Sequence, residues 1–314
     1  MSIGTNIRKR RFELHMTQEE LARALGYKTK STIAKIESGE NGVSTAKLPL
    51  FARALDTTME ALLLGAGEYQ PSSGVFQHHS PDSKVIAVIL AGGKSTRNLQ
   101  NIPNQFVTVQ GKPVLIYSME AYERHPAVSE IVVVCLKGWE DIVASYAREY
   151  GITKLSGIIP GGDTGIRSIR NGVRFLADRC RDDDLIVLQE STRPMVTEDI
   201  ISKLLNACKE TGSAVTSEPM DGIVQFFVEE TKVRYLNRNL IVEAQSPDAY
   251  RFGLLEEAFR LAEERGAGLE ESCAYMFLYN LGYDLHFVEG NHNNLKIIRQ
   301  EDVAIFTALL KSKD

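Results

Sequence analysis

The stretch VIAVILAGGKSTRNLQNIPNQFVTVQGKPVLIYSMEAYERHPAVSEIVVVC, residues 85–135, decides the fold of the larger part of the chain. With Lys84 it opens on KVIAVILAGG, an apolar, β-rich run ending in two glycines, which is how a parallel strand buried on both faces enters a ligand loop. A helical stretch from Val114 to Arg124 follows, and then a second apolar strand, EIVVVCL. The alternation continues with a helix through Tyr146 to Tyr150, a strand-like segment from Lys154 to Ile159 and a helix from Thr164 to Asp178. The strand DLIVLQE, a helix from Thr197 to Thr211 and the strand SAVTSEP come next. Strands alternating with helices at this spacing predict an α/β fold, a doubly wound and mostly parallel sheet. The segment from Gly222 to Val242 breaks the rhythm and predicts a protruding β-arm of two short strands and a turn, serving either a partner subunit or nothing beyond a surface hairpin. Helices at Leu254 to Arg265 and Cys273 to Leu281, the strand DLHFVEG and a last helix close this domain, residues 84–314.

Upstream the texture is different. Residues 69–83, YQPSSGVFQHHSPDS, are polar, hold two prolines and lack periodicity, so they read as a linker. Residues 1–68 read as a small all-α domain. Thr17 followed by Glu20 makes a capping box at the start of a helix that buries Leu21 and Leu25 and stops at Gly26. A helix from Ser31 to Ser38 turns Ile33 and Ile36 inward and ends at Gly39. Pro49 suits the first turn of a helix carrying Leu50, Phe51, Ala54 and Leu55, and a short one covers Met59 to Leu64.

Bulk properties narrow the function classes. No apolar run is long enough to span a bilayer, and the N-terminal residues lack the pattern of a secretory signal, so the expected setting is cytoplasmic with no membrane partner. Four cysteines, at 135, 180, 208 and 273, show no CxxC spacing, which argues against a disulfide framework or a structural zinc site. The net charge of −5 excludes a general polyanion binder, but its sign is uneven. Residues 1–67 hold ten Lys or Arg against seven Asp or Glu, a balance of +3, and the rest balances at −8, which places any nucleic-acid contact at the N-terminal end.

The run TQEELARALGYKTKSTIAKIESGENGVS, with LFARALDTTMEALL after it, resembles the Cro/CI-like helix-turn-helix family of XRE-type regulators. The resemblance implies that the third helix lies in the major groove of double-stranded DNA. Thr29, Lys30, Thr32 and Lys35 would reach bases, with Lys28 and Arg10 or Arg11 on phosphates. A helical docking or dimerisation module that no longer binds DNA is the alternative. Operators of this class are usually read by dimers, so DNA binding implies an oligomer, expected to be a homodimer.

From Lys84 onward the chain resembles the methylerythritol phosphate cytidylyltransferases and the related ribitol phosphate cytidylyltransferases, several separated motifs agreeing in order. The resemblance implies a Rossmann-like nucleotidyltransferase that transfers CMP from CTP to a polyol phosphate, sugar phosphate or phosphonate acceptor with release of pyrophosphate and with Mg²⁺, or Mn²⁺, as cofactor. Ala91, Gly92, Gly93, Ser95 and Thr96 would cradle the triphosphate, and Lys94 and Arg97 would clamp its charge. Gly161, Gly162 and Ser168, in PGGDTGIRSIRNG, match the base-binding element, and Asn294 and Lys296, in GNHNNLKIIRQEDV, match the closing motif beside the triphosphate. Glu190 stands where relatives have a metal-binding aspartate, and Arg193, Asp221 and Arg238 match the acceptor side, Arg238 lying in the arm that reaches a neighbouring subunit in relatives.

The departures from the pattern are specific. Relatives carry Pro-Lys-Gln where this chain has Pro103-Asn104-Gln105, and loss of that cation would cost on the order of 3 kcal/mol, so restoring lysine at 104 is expected to raise turnover. His-Asp becomes Gln189-Glu190, and Asp-Thr-x-Lys becomes Asp221-Gly222-Ile223-Val224. Three readings therefore stand: an active cytidylyltransferase fused to a DNA-binding regulator domain, a catalytically impaired sensor of a nucleotide or CDP-linked metabolite, and an interaction protein with neither property.

Overall fold

A computed structural model of the chain describes residues 3–14, 16–27, 29–43, 47–57, 59, 62, 83–95, 100, 102–220, 222, 224–229, 232–266 and 268–312. The chain divides into two units, residues 1–75 and 76–314.

The first unit is helical: α1 (Ile3–Glu13), α2 (Gln18–Ala24), α3 (Lys30–Ser38) and α4 (Leu48–Ala54). The capping box forms as expected, with the Glu20 amide donating to Thr17 Oγ1 at 3.2 Å and the Thr17 amide donating to Glu20 Oε2 at 2.7 Å. Gly39 ends α3 in the left-handed region, with φ of 83°, where a side chain would be strained. Ile7, Leu21, Ile33, Ile36, Phe51, Leu55 and Leu62 are buried together. Leu50, expected on the same helix, is 50% exposed, because the inward face of so short a helix is filled by Leu48, Phe51 and Ala52. Of the expected helix from Met59 to Leu64, only 59 and 62 fall within the described residues.

The second unit contains β1 (Val85–Ala91), a 3-10 turn (Asn104–Phe106), the short strands β2 (Thr108–Val109) and β3 (Lys112–Pro113), α5 (Val114–Arg124), β4 (Glu130–Cys135), α6 (Glu140–Glu149) and β5 (Leu155–Pro160). It continues with α7 (Gly165–Leu176), β6 (Leu185–Glu190), α8 (Glu198–Thr211), β7 (Ser213–Pro219), the arm strands β8 (Gln225–Glu229) and β9 (Lys232–Leu236), and β10 (Val242–Arg251). Then come α9 (Phe252–Arg265), α10 (Ala274–Leu281), β11 (Phe287–Glu289) and α11 (Gln300–Lys311). The seven-stranded sheet runs β11-β7-β10-β6-β1-β4-β5 and is parallel except at β10, which pairs antiparallel with both β6 and β7.

The apolar run that opened the sequence reading behaves as its composition requires. Val85, Ala87, Ile89 and Ala91 point into one core with residues of α5, α6 and α8, while Ile86 and Val88 point into the opposite core with residues of α7, α9 and α10. A strand covered on both faces gains from every residue, so it reads as continuous hydrophobicity. A smaller cluster joins Val107, Val109 and Val114 to Met195, Ile297, Val303 and Phe306, tying the last helix to the chain segment just before it.

One strand carries no strand pattern in its sequence. EAQSPDAYR is polar and contains a proline, yet it forms most of β10 in the middle of the sheet. Its register shifts between Ala244 and Asp248, so the Ser246-Pro247 step bulges where proline has no amide to donate.

Candidate functional site

The ends of β1 and β6 open on a cleft of about 520 Å³, and six stretches of chain line it. These are the loop after β1, the 3-10 turn at Asn104 and Gln105, the turn into α7, the segment after β6, Ser272 ahead of α10, and the segment before α11. This is the carboxyl end of the parallel strands, where ligands enter open α/β sheets.

Gly92, Gly93, Lys94 and Ser95 form the first wall, and Ala91 lies buried just behind it. The loop is braced from below by Gln105, whose Nε2 donates to the carbonyls of Ala91 and Gly93, both at 2.8 Å. Thr96 and Arg97 lie outside the described residues. The second wall is the turn Gly162-Asp163-Thr164-Gly165 at the start of α7. Ser168 closes it on itself, accepting from the Gly162 amide at 3.0 Å and donating to the Thr164 carbonyl at 3.0 Å. A Cβ on Gly165 would fall 1.9 Å from the Ser272 carbonyl oxygen, so only glycine lets the helix start approach that closely. Gly161 lies under this wall, its amide donating to the Cys135 carbonyl at 2.8 Å.

The remaining walls meet at an ion-pair network. Glu190, the last residue of β6, accepts from Lys296 Nζ at 2.5 Å through Oε1 and from Arg193 Nε at 3.1 Å through Oε2. Arg193 is buried and also donates to the Asn294 carbonyl at 2.7 Å. Asn294 is fully buried, its Nδ2 donating to the Ser246 carbonyl at 2.8 Å and to Gln245 Oε1 at 3.2 Å. Of the residues expected here, Lys94, Ser95, Gly162, Ser168, Glu190 and Lys296 line the cleft, whereas Arg193 and Asn294 lie behind its lining. Arg238 sits exposed on a 3-10 turn after β9 and does not line it, and Asp221 lies outside the described residues.

Several buried polar residues form a floor behind the lining of the cleft. Gln189 is buried between the Tyr122 hydroxyl, which donates to its Oε1 at 2.7 Å, and the carbonyls of Glu190 and Arg193, to which its Nε2 donates. Ser246 Oγ accepts the Glu190 amide at 2.7 Å, so the bulge in β10 holds the end of β6. Asp248 accepts from the Tyr250 hydroxyl at 2.8 Å. Burial pushes its carboxyl up to about 7; the Tyr250 hydrogen bond opposes this and the charge of Glu190 adds to it. The sequence signal for Ser246 and Asp248 is the polar run Gln245 to Asp248, whereas Gln189 stands out as a departure from the family pattern.

In the helical unit, Thr29 just ahead of α3 and Lys30 and Lys35 on it are exposed and Thr32 is half-buried, while Lys28 lies outside the described residues. Arg10 and Arg11, expected at phosphates, are turned inward instead. Arg10 donates to the carbonyls of Leu55 and Asp56, and Arg11 forms a buried two-point pair with Glu37 at 2.6 and 2.9 Å. The planar guanidinium fits a carboxylate edge, and this pairing holds α1 against α3. Arg8, Gln18 and Lys30 line a hollow of about 430 Å³.

Among the described residues no helix is long and apolar enough to cross a membrane. Residues 85–312 match the 2-C-methyl-D-erythritol 4-phosphate cytidylyltransferase family, and residues 7–62 match the helix-turn-helix family. A ribitol-5-phosphate cytidylyltransferase of Lacticaseibacillus paracasei is 38% identical over 234 residues, covering 73% of this chain and 99% of the relative. Another, of Streptococcus agalactiae, is 30% identical over 232 residues, covering 73% and 96%. The crystal structure of 4-diphosphocytidyl-2C-methyl-D-erythritol synthase from Anaerococcus prevotii shares the fold, with a TM-score of 0.62 at 20% identity, over 73% of this chain and 96% of that one.

Proposed function

From a chain that belongs to the 2-C-methyl-D-erythritol 4-phosphate cytidylyltransferase family over residues 85–312 and carries a helix-turn-helix module ahead of it, we propose an enzyme that moves the cytidylyl group of CTP onto a polyol phosphate. An acceptor phosphate oxygen attacks the α-phosphorus, the bond to the β-phosphate breaks, and pyrophosphate leaves. The observation that carries this reading is the cleft, where a glycine loop, the start of α7 and the Lys296 ammonium face one space. Small residues let phosphate oxygens approach backbone amides, and a helix start favours negative charge. Lys296 is the cation placed to stabilise charge growing on the transferring group, with Lys94 on the opposite wall. The polyol class is supported by the two relatives, both ribitol-5-phosphate cytidylyltransferases.

Among the described residues no three His, Cys, Asp or Glu side chains gather around one point, and both oxygens of Glu190 already accept from cations. That does not suit a resident ion, but it fits one that arrives on the triphosphate, keeps its waters and takes a single protein carboxylate, Glu190. When bound, such an ion would neutralise phosphate charge. Glu190 would then release Lys296 toward the nucleotide.

The reading extends to two partners. The arm exposes Val224, Phe226, Val228, Val233, Tyr235 and Leu240, and its register sets Phe226 opposite Tyr235 and Val228 opposite Val233. Such an apolar arm suits a second copy of the chain, and so a homodimer. Thr29, Lys30, Thr32 and Lys35 of the N-terminal module would then meet double-stranded DNA as one of two half-site readers.

One observation favours the sensor reading. Asn104 is neutral, and Lys296 is held by a carboxylate, so the cleft is suited to grip a nucleotide without turning it over. Calorimetric titration with CTP and the other nucleoside triphosphates in Mg²⁺, followed by pyrophosphate release over a panel of polyol, sugar and phosphonate acceptors, separates the two. Selective CTP binding with release supports the enzyme. Binding without release across the panel supports the sensor, and no triphosphate binding removes both.

A further inference from the structure

Asn104 spans two walls of the cleft. Its backbone amide donates to the Ser95 carbonyl of the glycine loop at 3.0 Å. Its side-chain Nδ2 donates across to the Ile298 carbonyl at 3.0 Å and the Ile297 carbonyl at 3.4 Å. The side chain is 4% exposed, and the next residue, Gln105, braces the loop from beneath. The far wall is anchored on either side of Lys296. The Ile297 amide donates to the Thr192 carbonyl at 2.8 Å, the Ile298 amide donates to Asp302 Oδ2 at 2.8 Å, and Asn294 is tied to the bulge of β10.

We propose that Asn104 is a positioning residue that fastens the segment carrying Lys296 to the glycine loop, so that it acts on turnover through Lys296. The inference rests on the cytidylyl-transfer reading of the cleft. A planar primary amide offers two donors in a fixed fork, which suits two successive carbonyls. A carboxylate of the same shape offers none when ionised, and a lysine replaces the fork with a mobile ammonium on a flexible stem. The expected effect of a lysine at this position is therefore the reverse of what charge alone suggests. It would break the fastening and leave turnover at or below that of the wild type.

The test uses the full chain and the Asn104→Asp, Asn104→Ser and Asn104→Lys variants, each first checked for a cooperative melt. Hydrogen exchange without nucleotide should show faster exchange of the Ile297 amide in Asn104→Asp, with Asn104→Ser, which keeps one donor, in between. In steady-state assays Asn104→Asp should lower kcat by about tenfold or more while KM for CTP moves by less than about threefold. In a Lys296→Met background the same substitution should cost less than about threefold, because a residue acting through Lys296 has nothing left to position. An Asn104→Asp variant that keeps wild-type kcat, an Asn104→Lys variant that exceeds it, or full additivity with Lys296→Met would each overturn the proposal and leave the transfer reading standing. A wild type that neither binds nor turns over CTP removes the transfer reading, and this proposal with it.

Discussion

The floor of the cleft and its rim are made of the same kinds of polar side chain, and they differ in where those side chains direct their hydrogen bonds. On the floor, Gln189, Arg193, Ser246, Asp248 and Asn294 are all buried, and most of their hydrogen bonds go to buried side chains or to backbone. On the rim, Lys94 is exposed and the Glu190 and Lys296 side chains stay 32% and 39% accessible. A closed polar network in low dielectric is stiff and costly to breach, whereas a half-exposed ion pair is cheap to rearrange. The floor therefore sets geometry, and the rim is free to exchange partners with a ligand.

That contrast can be broken or sharpened by substitution. The largest effect is expected from Arg193→Met, which strands the Asn294 carbonyl and takes one cation from Glu190. Stranding a buried carbonyl that accepted from a charged donor costs roughly 1.5–3 kcal/mol, so the denaturation midpoint should fall together with CTP affinity. An unchanged midpoint would place Arg193 with the rim. Next is Lys296→Met, on the rim. It should lower turnover by roughly 10²-fold and leave the thermal midpoint almost where it was, and a large loss of stability would erase the distinction.

Third is Asp248→Asn. The folded protein holds the Asp248 proton up to about pH 7, while the unfolded chain releases it at the ordinary carboxylate value near 4. Through that window the folded state binds more protons, so stability falls as pH rises. The variant should match the wild type near pH 4 and exceed it at pH 8 by on the order of 4 kcal/mol at most, as read from denaturant midpoints at both pH values. A constant offset across the window would remove Asp248 as the source. The smallest effect belongs to Ser246→Ala, which leaves the Glu190 amide without its acceptor at a cost of about 1 kcal/mol. A change in metal or CTP affinity without that loss would move Ser246 from the floor to the rim.

What could be read in the sequence follows the same division. β1, β4 and β6 announce themselves because burial on two faces demands uninterrupted apolar residues, and Thr17 with Glu20 announces a helix start because both partners lie within one turn. The glycine loop and Lys296 were legible as candidate cleft residues through their resemblance to a family pattern. β10 was not legible, since its hydrogen bonds come from backbone and its side chains are polar, with Pro247 at its bulge. Nor was the inward turn of Arg10, Arg11 and Arg193. Spacing shows that an arginine is near a site, but its partners here are set by folding: Arg193 meets a carbonyl 101 residues away and Arg10 one that is 45 residues away. The bridging role of Asn104 was hidden for the same reason, with 194 residues between donor and acceptor.

The small cluster that joins Ile297 to Val303 and Phe306, and through Met195 to the segment after β6, lies outside the two main cores. A protease that nicked the chain near residue 299 would leave every strand of the seven-stranded sheet intact. The two main cores would keep all their residues, yet the tether under Lys296 would be gone. Integrity of the last helix is thus a matter of competence, and a preparation trimmed at its tail would keep the wall that carries Lys296 while having lost the support behind it.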